Sequence, residues 1–322
     1  MTTDTYPAPC LAIVVPCYNE QEVLPATLAR LRALLQRMKE EGLVTSGSKI
    51  AFVDDGSRDS TWAMIAGAVE EWPGEVAGVR LAHNAGHQNA LLAGLEAVER
   101  SCDATVSIDA DLQGDPEAIV EMVRQYRAGC DIVYGVRRSR RSDTWFKRNT
   151  ALLFYHGMER LGVETVFNHA DFRLMSRRAV AELLKYRESG IFLRGVVPHI
   201  GFRQGRVEYD RTAREAGESK YPLRKMMNFA VDGITSFSVK PVRMVFWLGM
   251  LFMLMAIVVL IYTLARYFSN DTIVGWTSLM ISIWFCTGIV LIALGIIGEY
   301  IGKIFIEVKK RPRYAVDTVL GL

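Results

Sequence analysis

The sequence has few cysteines, and none of them is spaced for a metal site. The five cysteines form no CxxC pair and no Cys/His cluster; they are Cys10, Cys17, Cys102, Cys130 and Cys286. A zinc site and a disulfide framework are therefore disfavoured, and we expect reduced structural thiols. The first ten residues, MTTDTYPAPC, also lack the basic and apolar regions of a signal peptide. We therefore expect the chain before residue 244 to stay in the cytosol.

Glycine-rich phosphate-binding motifs are missing as well. No GxGxxG follows the first predicted strand, and the chain contains no P-loop motif. Dinucleotide-binding enzymes and P-loop NTPases bind phosphate through such loops, so both classes of protein are disfavoured. Any bound nucleotide phosphate then needs another source of positive charge. The net charge of +3 gives no indication of a nucleic-acid partner, and we expect none.

Two long stretches of the chain contain no charged residue. Residues 244–265 and 272–298 lack Asp, Glu, Lys and Arg, and a helix of ~20 apolar residues is long enough to span a bilayer. A buried helical hairpin in a soluble core is the alternative, but core helices are seldom uncharged on every face over this length. Residues 266–271, between the two stretches, leave room only for a tight turn. We therefore predict two transmembrane helices within residues 244–298.

Basic residues beside these stretches predict the orientation of the protein. They lie before the first stretch and after the second, and include Arg224, Lys225, Lys240, Arg243, Lys303, Lys309, Lys310, Arg311 and Arg313. Because Lys and Arg concentrate on the cytoplasmic side, we expect a multi-pass protein of the plasma (inner) membrane with both flanks in the cytoplasm. The predicted divisions are a cytosolic domain (1–220), an amphipathic interfacial segment (221–243), the transmembrane hairpin (244–298) and a cytosolic tail (299–322).

The cytosolic part alternates apolar runs with segments of helical periodicity. Predicted strands cover residues 11–19, 49–57, 76–84, 104–111 and 131–138, and predicted helices cover 20–41, a segment from 59, 87–100 and 115–129. The strands are continuously apolar, which is typical of strands that are buried on both faces. We therefore expect an α/β fold with a mostly parallel sheet flanked by helices.

An acidic segment follows the fourth predicted strand, and ligands of such sheets bind at the carboxyl ends of the strands. The segment SIDADLQGD (107–115) places Asp109 and Asp111 two residues apart, so that their side chains can point to the same side. An acidic turn that starts a helix is the alternative, and Asp115 before Pro116 fits the position of a cap. Since Mg²⁺ is bound by carboxylates together with substrate phosphates, the pair indicates a divalent cation that holds a diphosphate.

Several motifs carry a resemblance to a known family. They are VVPCYNE (14–20), FVDDGSRDST (52–61), DADLQGDPE (109–117), DFRLMSR (171–177), GESKY (217–221), GITSFSVKPVR (233–243) and GEYIGKIFIEVKKRPRY (298–314). The chain resembles the inverting glycosyltransferases of family 2. Within that family it is similar to the polyprenyl-phosphate glycosyltransferases, which include bactoprenol-phosphate glucosyltransferases and dolichol-phosphate mannose synthase. The resemblance covers nearly the whole chain and implies a GT-A (Rossmann-like) fold.

The resemblance also implies roles for particular residues. It assigns the nucleotide sugar to Pro16, Tyr18, Asn19, Glu20, Asp54, Asp55, Asn84 and Asp109. It assigns a divalent cation, Mg²⁺ or Mn²⁺, to Asp109, Asp111 and Gln113, and catalysis to Asp111 and Asp171. An ordinary strand-to-helix turn is the alternative for Tyr18 and Glu20. His83 occupies the position of the family's usual Arg and offers one donor in place of a guanidinium fork.

The implied acceptor is a polyprenyl (undecaprenyl) phosphate in the membrane. The residues expected to bind its phosphate are Arg137, Arg138, Arg148, Ser219 and Lys220, with a solvated or headgroup-facing surface as the alternative for the first two. This phosphate has a second pKa of ~6, so it is already an ionised nucleophile at neutral pH. Asp171, at the family's catalytic-base position, is therefore expected to orient the phosphate or take up its remaining proton. A single displacement would invert an α-linked donor.

The sequence is compatible with alternative sugar donors and has alternative functions to weigh. Glucose from UDP-glucose is the expected donor, while GDP-mannose and modified UDP-sugars are alternatives. A processive polysaccharide synthase is disfavoured because none of the six tryptophans follows an arginine, so the QxxRW motif is missing. A non-catalytic membrane adaptor or flippase component is the alternative from another class, and the intact acidic pair argues against it. The resemblance also suggests a homo-oligomer.

Overall fold

The computed structural model describes residues 6–137, 169–188, 190–209 and 275–322, together with single helical positions between 245 and 261. The described residues belong to two compact units. One unit holds the residues up to 209 together with those from 311 onward. The other unit holds the helical residues between 245 and 310.

One eight-stranded sheet forms the centre of the first unit. Its strands are β1 (Leu11–Cys17), β2 (Lys49–Asp54), β3 (Val76–Leu81), β4 (Ala104–Ser107), β5 (Ile132–Arg137), β6 (His169–Ser176), β7 (Gln204–Tyr209) and β8 (Val316–Leu320). They lie in the order β7-β5-β6-β4-β1-β2-β3-β8. The pairs β1–β2, β1–β4, β2–β3 and β5–β7 are parallel, whereas β6 is antiparallel to β4 and β5, and β8 is antiparallel to β3. The predicted α/β fold with a mostly parallel sheet is confirmed.

Helices connect the strands at the positions that the sequence predicts. They are α1 (Leu24–Glu40), α2 (Thr61–Glu71), α3 (His87–Val98) and α4 (Ala118–Arg127), followed by the shorter α5 (Arg177–Leu183) and α6 (Leu193–His199). The first helix begins four residues later than predicted, because Val23 N and Leu24 N both donate to Glu20 O and close a turn there. The residues after β1 therefore form a loop at the edge of the sheet.

Close packing of α3 on the sheet holds the carboxyl ends of the central strands in place. All seven residues of β1 are buried, as expected for a strand covered on both faces. Gly94 of α3 lies against this strand, and a Cβ there would come within 2.5 Å of Val14 Cγ1 and Val53 Cγ2. Only glycine lets the helix approach β1 and β2 so closely.

The second unit contains the helix α7 (Trp276–Val308), which is 33 residues long. Its segment Phe285–Val308 is long and apolar enough to cross a membrane, and it is not buried inside the protein. The helix continues past residue 298, where the sequence analysis ends the hairpin. Between 245 and 261 the described positions are helical. Among the described residues α7 is the one candidate span, and the span over 244–265 stays a prediction.

The last strand, β8, returns to the sheet of the first unit. Val319 lies opposite Val79, and Leu320 lies opposite Gly78, in an antiparallel pairing at the edge of the sheet. The loop before it is also attached, since Ala82 N donates to Ala315 O at 2.9 Å. The sequence predicts only a cytosolic tail here, so the strand is a finding of the structure.

Candidate active site

The loops after β1 and β2 are joined to each other by side-chain hydrogen bonds. Asn19 N donates to Ser57 Oγ at 2.9 Å, and Arg58 N donates to Asn19 Oδ1 at 2.9 Å. Asn19 has a φ of 54°, a left-handed conformation that asparagine tolerates better than most residues. Glu20 N donates to Thr61 Oγ1 at 2.9 Å. The two motifs that the resemblance assigns to the nucleotide sugar thus form one connected surface, with Tyr18 exposed on it.

Asp55 connects this surface to the loop after β3. Its carboxylate accepts hydrogen bonds from Ala85 N at 2.7 Å and from Gly86 N at 3.0 Å. Desolvation raises the pKa of Asp55, while these two hydrogen bonds act in the opposite direction. Gly56 packs equally closely, since a Cβ there would lie 2.7 Å from the His83 carbonyl carbon. Both residues position the loop, and direct contact of Asp55 with a nucleotide stays a prediction.

Asp54 is a different kind of carboxylate, fully buried at the end of β2. Its Oδ1 accepts from Ser57 N at 3.2 Å. Its Oδ2 is buried and accepts no hydrogen bond from the described part of the chain, and Arg80 Nε lies 3.8 Å from it. A buried acceptor without a donor is costly. This oxygen is therefore a suitable acceptor for an N–H group of a ligand.

The acidic segment after β4 forms a tight turn. Asp111 Oδ1 accepts from Gln113 N at 3.2 Å, and Asp111 Oδ2 accepts from the Gln113 side-chain amide at 2.8 Å. Leu112, between them, has a φ of 46°, which is uncommon for a residue with a branched side chain. Asp115 Oδ1 accepts from Glu117 N at 3.1 Å, one residue before α4. Asp115 therefore holds the turn that leads into α4, whereas the cap position of the helix itself is Glu117, because the residues after Asp115 first form a turn.

Asp171 reaches this segment because β6 runs antiparallel beside β4. Arg173 lies opposite Ser107 in the sheet, which places Asp171 level with the residues that follow β4. Ser107 Oγ donates to Asp171 O at 2.5 Å. The Asp171 carboxylate accepts from Arg173 Nη2 at 2.7 Å through Oδ1 and from Arg194 Nη2 at 3.2 Å through Oδ2. Two arginines from different elements thus bind one carboxylate.

The charges around Asp171 determine its protonation. Burial alone would raise the pKa of Asp171, but the positive charges of Arg173 and Arg194 outweigh it and lower the pKa to about 2. Burial also lowers the pKa of Arg173, while Asp171 opposes that shift. At neutral pH Asp171 is therefore ionised, and its low pKa makes it a poor proton acceptor.

His87, the first residue of α3, joins the two acidic groups. Its Nε2 lies 3.5 Å from Asp109 Oδ1 and 3.8 Å from Asp171 Oδ2. Desolvation raises the pKa of Asp109, and the Asp171 and Asp111 carboxylates raise it further, while His87 and Arg194 counteract them. The negative charges of Asp171 and Asp111 thus both act on Asp109 at this end of the sheet, and a bound cation would reduce that repulsion.

The acidic pair fits a divalent cation that also binds a substrate. Asp109 and Asp111 supply carboxylate oxygens and Gln113 can supply an amide oxygen, which are the ligands that hard cations prefer. Among the described residues no three His, Cys, Asp or Glu side chains are grouped to hold a metal by themselves. A Mg²⁺ site typically uses one or two carboxylates and takes its remaining ligands from phosphates and water. The donor set is therefore suited to a cation held jointly with a diphosphate.

The structure brings the predicted donor and metal residues to one edge of the sheet. Pro16, Asp54, Asn84 and Asp109 all lie at or just after the carboxyl ends of β1 to β4. The side chains that are predicted to bind the acceptor phosphate all lie outside the described part of the chain. Arg137 ends β5, and nothing is described of its side chain. Arg138, Arg148, Ser219 and Lys220 lie outside the described residues.

Three residues of this site were missed by the sequence analysis. Arg173 could have been found, because it lies two residues after Asp171 in a strand, and side chains two apart share a face. His87 had a weaker signal, as the first residue of a helix that follows a strand end. Arg194 had none, since it lies far along the chain, and only the tertiary structure brings it to Asp171.

Comparison with solved structures gives distant matches. The mannosyltransferase PcManGT from Pyrobaculum calidifontis, solved with GDP-Man and Mn²⁺, aligns with a TM-score of 0.44 and 16% identity, covering 72% of this chain and 71% of that chain. Similarity of this extent carries no argument about ligands.

Comparison at the sequence level is much closer. The chain is 52% identical over 313 residues to the uncharacterized glycosyltransferase YkoT of Bacillus subtilis (strain 168), covering 97% of this chain and 92% of the relative. It is 36% identical over 315 residues to the bactoprenol glucosyl transferase of Shigella phage SfX, covering 96% and 99%. Residues 240–304 match the GtrB C-terminal hairpin, and residues 12–184 match glycosyl transferase family 2. The chain is a transferase with a GT-A fold and belongs to glycosyl transferase family 2.

Proposed function

We propose that this enzyme transfers glucose from UDP-glucose to a polyprenyl phosphate, such as undecaprenyl phosphate, at the cytoplasmic face of the plasma membrane. The observation that carries the proposal is the 36% identity, over nearly the full length of both chains, to a bactoprenol glucosyl transferase. The acidic and basic groups at the carboxyl edge of the sheet support it, because they provide partners for both a diphosphate and a cation.

The donor would lie across the ends of β1, β2 and β4. The buried Oδ2 of Asp54 is suited to accept the ring N–H of a uracil base. Asn19 and Tyr18 lie on the same connected surface. Asp109, Asp111 and Gln113 would hold the divalent cation, which neutralises charge on the diphosphate leaving group when bound. The choice of glucose rests on the relatives that are named glucosyl transferases, and the choice of uridine rests on the resemblance, rather than on these contacts.

The acceptor phosphate attacks the donor in one step. An oxygen of the phosphate dianion forms a bond to the anomeric carbon of glucose, while the bond from that carbon to the diphosphate oxygen breaks. The electron pair leaves with the nucleoside diphosphate, and the configuration at the anomeric carbon is inverted. Because the nucleophile is already ionised, the protein needs to orient it and balance its charge rather than remove a proton.

Asp171 then acts by orientation. Its carboxylate is held between Arg173 and Arg194, and its low pKa disfavours transfer of a proton to it. The lipid phosphate itself would be bound by Arg137, Arg138, Arg148, Ser219 and Lys220, as the resemblance implies.

The connectivity of the chain supports two membrane crossings. The chain leaves the sheet after β7 and rejoins it at β8, so both ends of the intervening segment lie on the same side of a membrane. An even number of crossings is therefore required. The helix α7 provides one candidate crossing, and the uncharged stretch over 244–265 would provide the second. The match to a C-terminal hairpin over residues 240–304 agrees with this count.

Transfer by the purified full-length protein tests the proposal. The protein in proteoliposomes would be given undecaprenyl phosphate and one labelled donor at a time: UDP-glucose, UDP-galactose, UDP-N-acetylglucosamine or GDP-mannose, with Mg²⁺, Mn²⁺ or chelator. We expect label in the lipid fraction from UDP-glucose, a β-linked product, and loss of transfer in chelator. Transfer from another donor alone would refute the choice of glucose, and no transfer from any donor would refute the function.

A matched pair of variants locates the cation. The double variant Asp109→Asn and Asp111→Asn should lower transfer by at least about a hundredfold, because charge on the leaving group would no longer be balanced. Asp115→Asn, a neighbouring carboxylate that serves the start of α4, should retain transfer. Equal transfer by the double variant and the wild type would rule out the proposed cation site.

A further inference from the structure

We propose that Arg194 is a phosphate-binding residue of the transfer reaction and that Asp171 is the positioning residue that orients its guanidinium group. The inference rests on the proposed function, since it assigns a role within that reaction. It changes the role of Asp171, which the resemblance places at the position of a catalytic base.

The two arginines that bind Asp171 lie in different surroundings. The Arg173 side chain is 2% exposed and the Asp171 side chain 12%, whereas the Arg194 side chain is 40% exposed. Arg173 makes the shorter hydrogen bond to Asp171, at 2.7 Å, and its positive charge compensates the buried negative charge of the Asp171 carboxylate. Arg194 makes the longer bond, at 3.2 Å, to the other oxygen of the same carboxylate. Arg194 therefore extends the buried pair toward the surface.

A separate contact fixes the segment that carries Arg194. Leu193 N, at the start of α6, donates to Gln88 Oε1 in the first turn of α3 at 2.9 Å. The neighbouring His87 Nε2 lies 3.8 Å from the same Asp171 oxygen that accepts from Arg194, and 3.5 Å from Asp109. Arg194 is thus held beside the acidic end of β4, where the diphosphate and the attacking phosphate must meet.

The chemistry of this position favours an anion. Guanidinium carries five N–H donors in a planar fork that matches the oxygens of a phosphate. The Arg194 side chain is partly exposed, so a phosphate that enters the site can reach it. The bond to Asp171 fixes the orientation of the guanidinium group. Without Arg194, the site would have one positive charge fewer to offset the repulsion between its carboxylates and a bound phosphate.

Two phosphates of the reaction have the required chemistry, and kinetics separate them. If Arg194 binds the diphosphate of the donor, a variant should raise the KM for UDP-glucose and weaken the binding of UDP. If it binds the acceptor, the KM for undecaprenyl phosphate should rise while UDP binding stays unchanged. Either result would support a phosphate-binding role.

The test compares Arg194→Gln and Arg194→Lys with the wild type in proteoliposomes. Arg194→Gln should raise one of the two KM values by about tenfold to a hundredfold, because a charge-assisted hydrogen bond is lost. Arg194→Lys keeps the charge without the fork and should restore part of that loss. The control is Arg177→Gln, which removes another partly exposed arginine that pairs with an aspartate, Asp103, at 3.1 Å. Arg177 lies at the end of β4 opposite to Asp109, so the Arg177→Gln variant should leave both KM values unchanged.

Asp171→Asn distinguishes orientation from proton transfer. If Asp171 acts through Arg194, the variant should raise the same KM value as Arg194→Gln does. The double variant that combines Asp171→Asn with Arg194→Gln should then raise this KM by less than the product of the two single increases. If Asp171 is a base, kcat should fall with both KM values unchanged, and the inference would be wrong. Wild-type KM values in Arg194→Gln, with a wild-type melting temperature, would overturn it as well. An inactive wild type would instead refute the proposed function and the inference with it.

Discussion

At the scale of single residues, carboxylates of the same type serve different purposes at the edge of the sheet. Asp54 is buried and has one oxygen that accepts no hydrogen bond from the described residues, while Asp55 uses both oxygens to hold the backbone of the next loop. Asp171 is bound by two arginines. The motif VDDGS shows the difference, because one of its two adjacent aspartates is fully buried at the end of β2 and the other holds the loop after β3. Surroundings, and not residue type, decide the role of each one.

The pH dependence of the reaction should come from the acceptor and not from Asp171. Because the pKa of Asp171 in the folded protein is about 2, below its ordinary value of ~3.9, its ion pairs contribute stability above that ordinary value and lose it only as the pH falls through about 2. The acceptor phosphate has a second pKa of ~6. We therefore expect kcat/KM for the acceptor to fall with decreasing pH from about pH 6.

The control for this prediction is an acceptor analogue. A polyprenyl phosphonate has a higher second pKa than the phosphate, so the decline should move to higher pH when the phosphonate is used. A decline that stays at the same pH with both acceptors would belong to the protein and would contradict the assignment.

At the scale of elements, the last strand of the chain supports the edge of the sheet next to the site. β8 pairs with β3, and Arg80 of β3 lies 3.8 Å from both Asp317 of β8 and the buried Asp54. Gly321 completes the contact with a φ of 72°, and a Cβ there would lie 2.7 Å from Val76 O. A segment that follows the predicted membrane region is therefore part of the catalytic fold.

Loss of β8 should destabilise the catalytic unit and weaken donor binding. A chain that ends at residue 314 leaves the hydrogen-bonding groups of β3 unpaired, and Arg80 loses one of its partners near Asp54. We expect a lower melting temperature and weaker binding of UDP by calorimetry. Gly321→Ala should show a smaller loss of stability in the same direction.

Asp317→Asn is the matched control for this prediction. It removes only an exposed ion pair, which contributes about 0–1 kcal/mol at most, and should leave the melting temperature nearly unchanged. A truncated chain as stable as the wild type would show that β8 is not needed by the sheet.

At the scale of the whole molecule, one sheet is built from residues on both sides of the predicted membrane region. Strands β1 to β7 precede that region and β8 follows it, so the sheet can form only if both flanks are in the same compartment. With the two proposed crossings, the catalytic unit would be connected to the membrane at two points of the chain. This arrangement suits an enzyme whose acceptor cannot leave the bilayer.

Labelling of single cysteines should reveal the two crossings. Ser269→Cys, in the short predicted turn over 266–271, should react with a membrane-impermeant maleimide in intact cells. Thr318→Cys, in β8, should react only after the membrane is opened. The wild type, with its native cysteines, provides the background, and absence of labelling at position 269 in intact cells would contradict the two-helix hairpin.

Much of this protein was determined by its sequence alone. The continuously apolar strands, the helices between them and the acidic residues after β4 follow from periodicity and from neighbouring residues, and the structure confirms their places. The uncharged stretches predicted two membrane spans, and α7 is the candidate span among the described residues. These features are local, because burial and capping act over a few residues at a time.

The tertiary structure decided what the local pattern could not. The antiparallel insertion of β6 beside β4 brings Asp171 to the acidic segment, and the approach of α6 brings Arg194 to Asp171. The return of β8 to the sheet is of the same kind. Each depends on pairing between segments far apart in the chain, where the choice of partner is set by the packing of the whole sheet. A carboxylate can be located from its neighbours in the sequence, but its charge state and its function depend on the partners that the fold supplies.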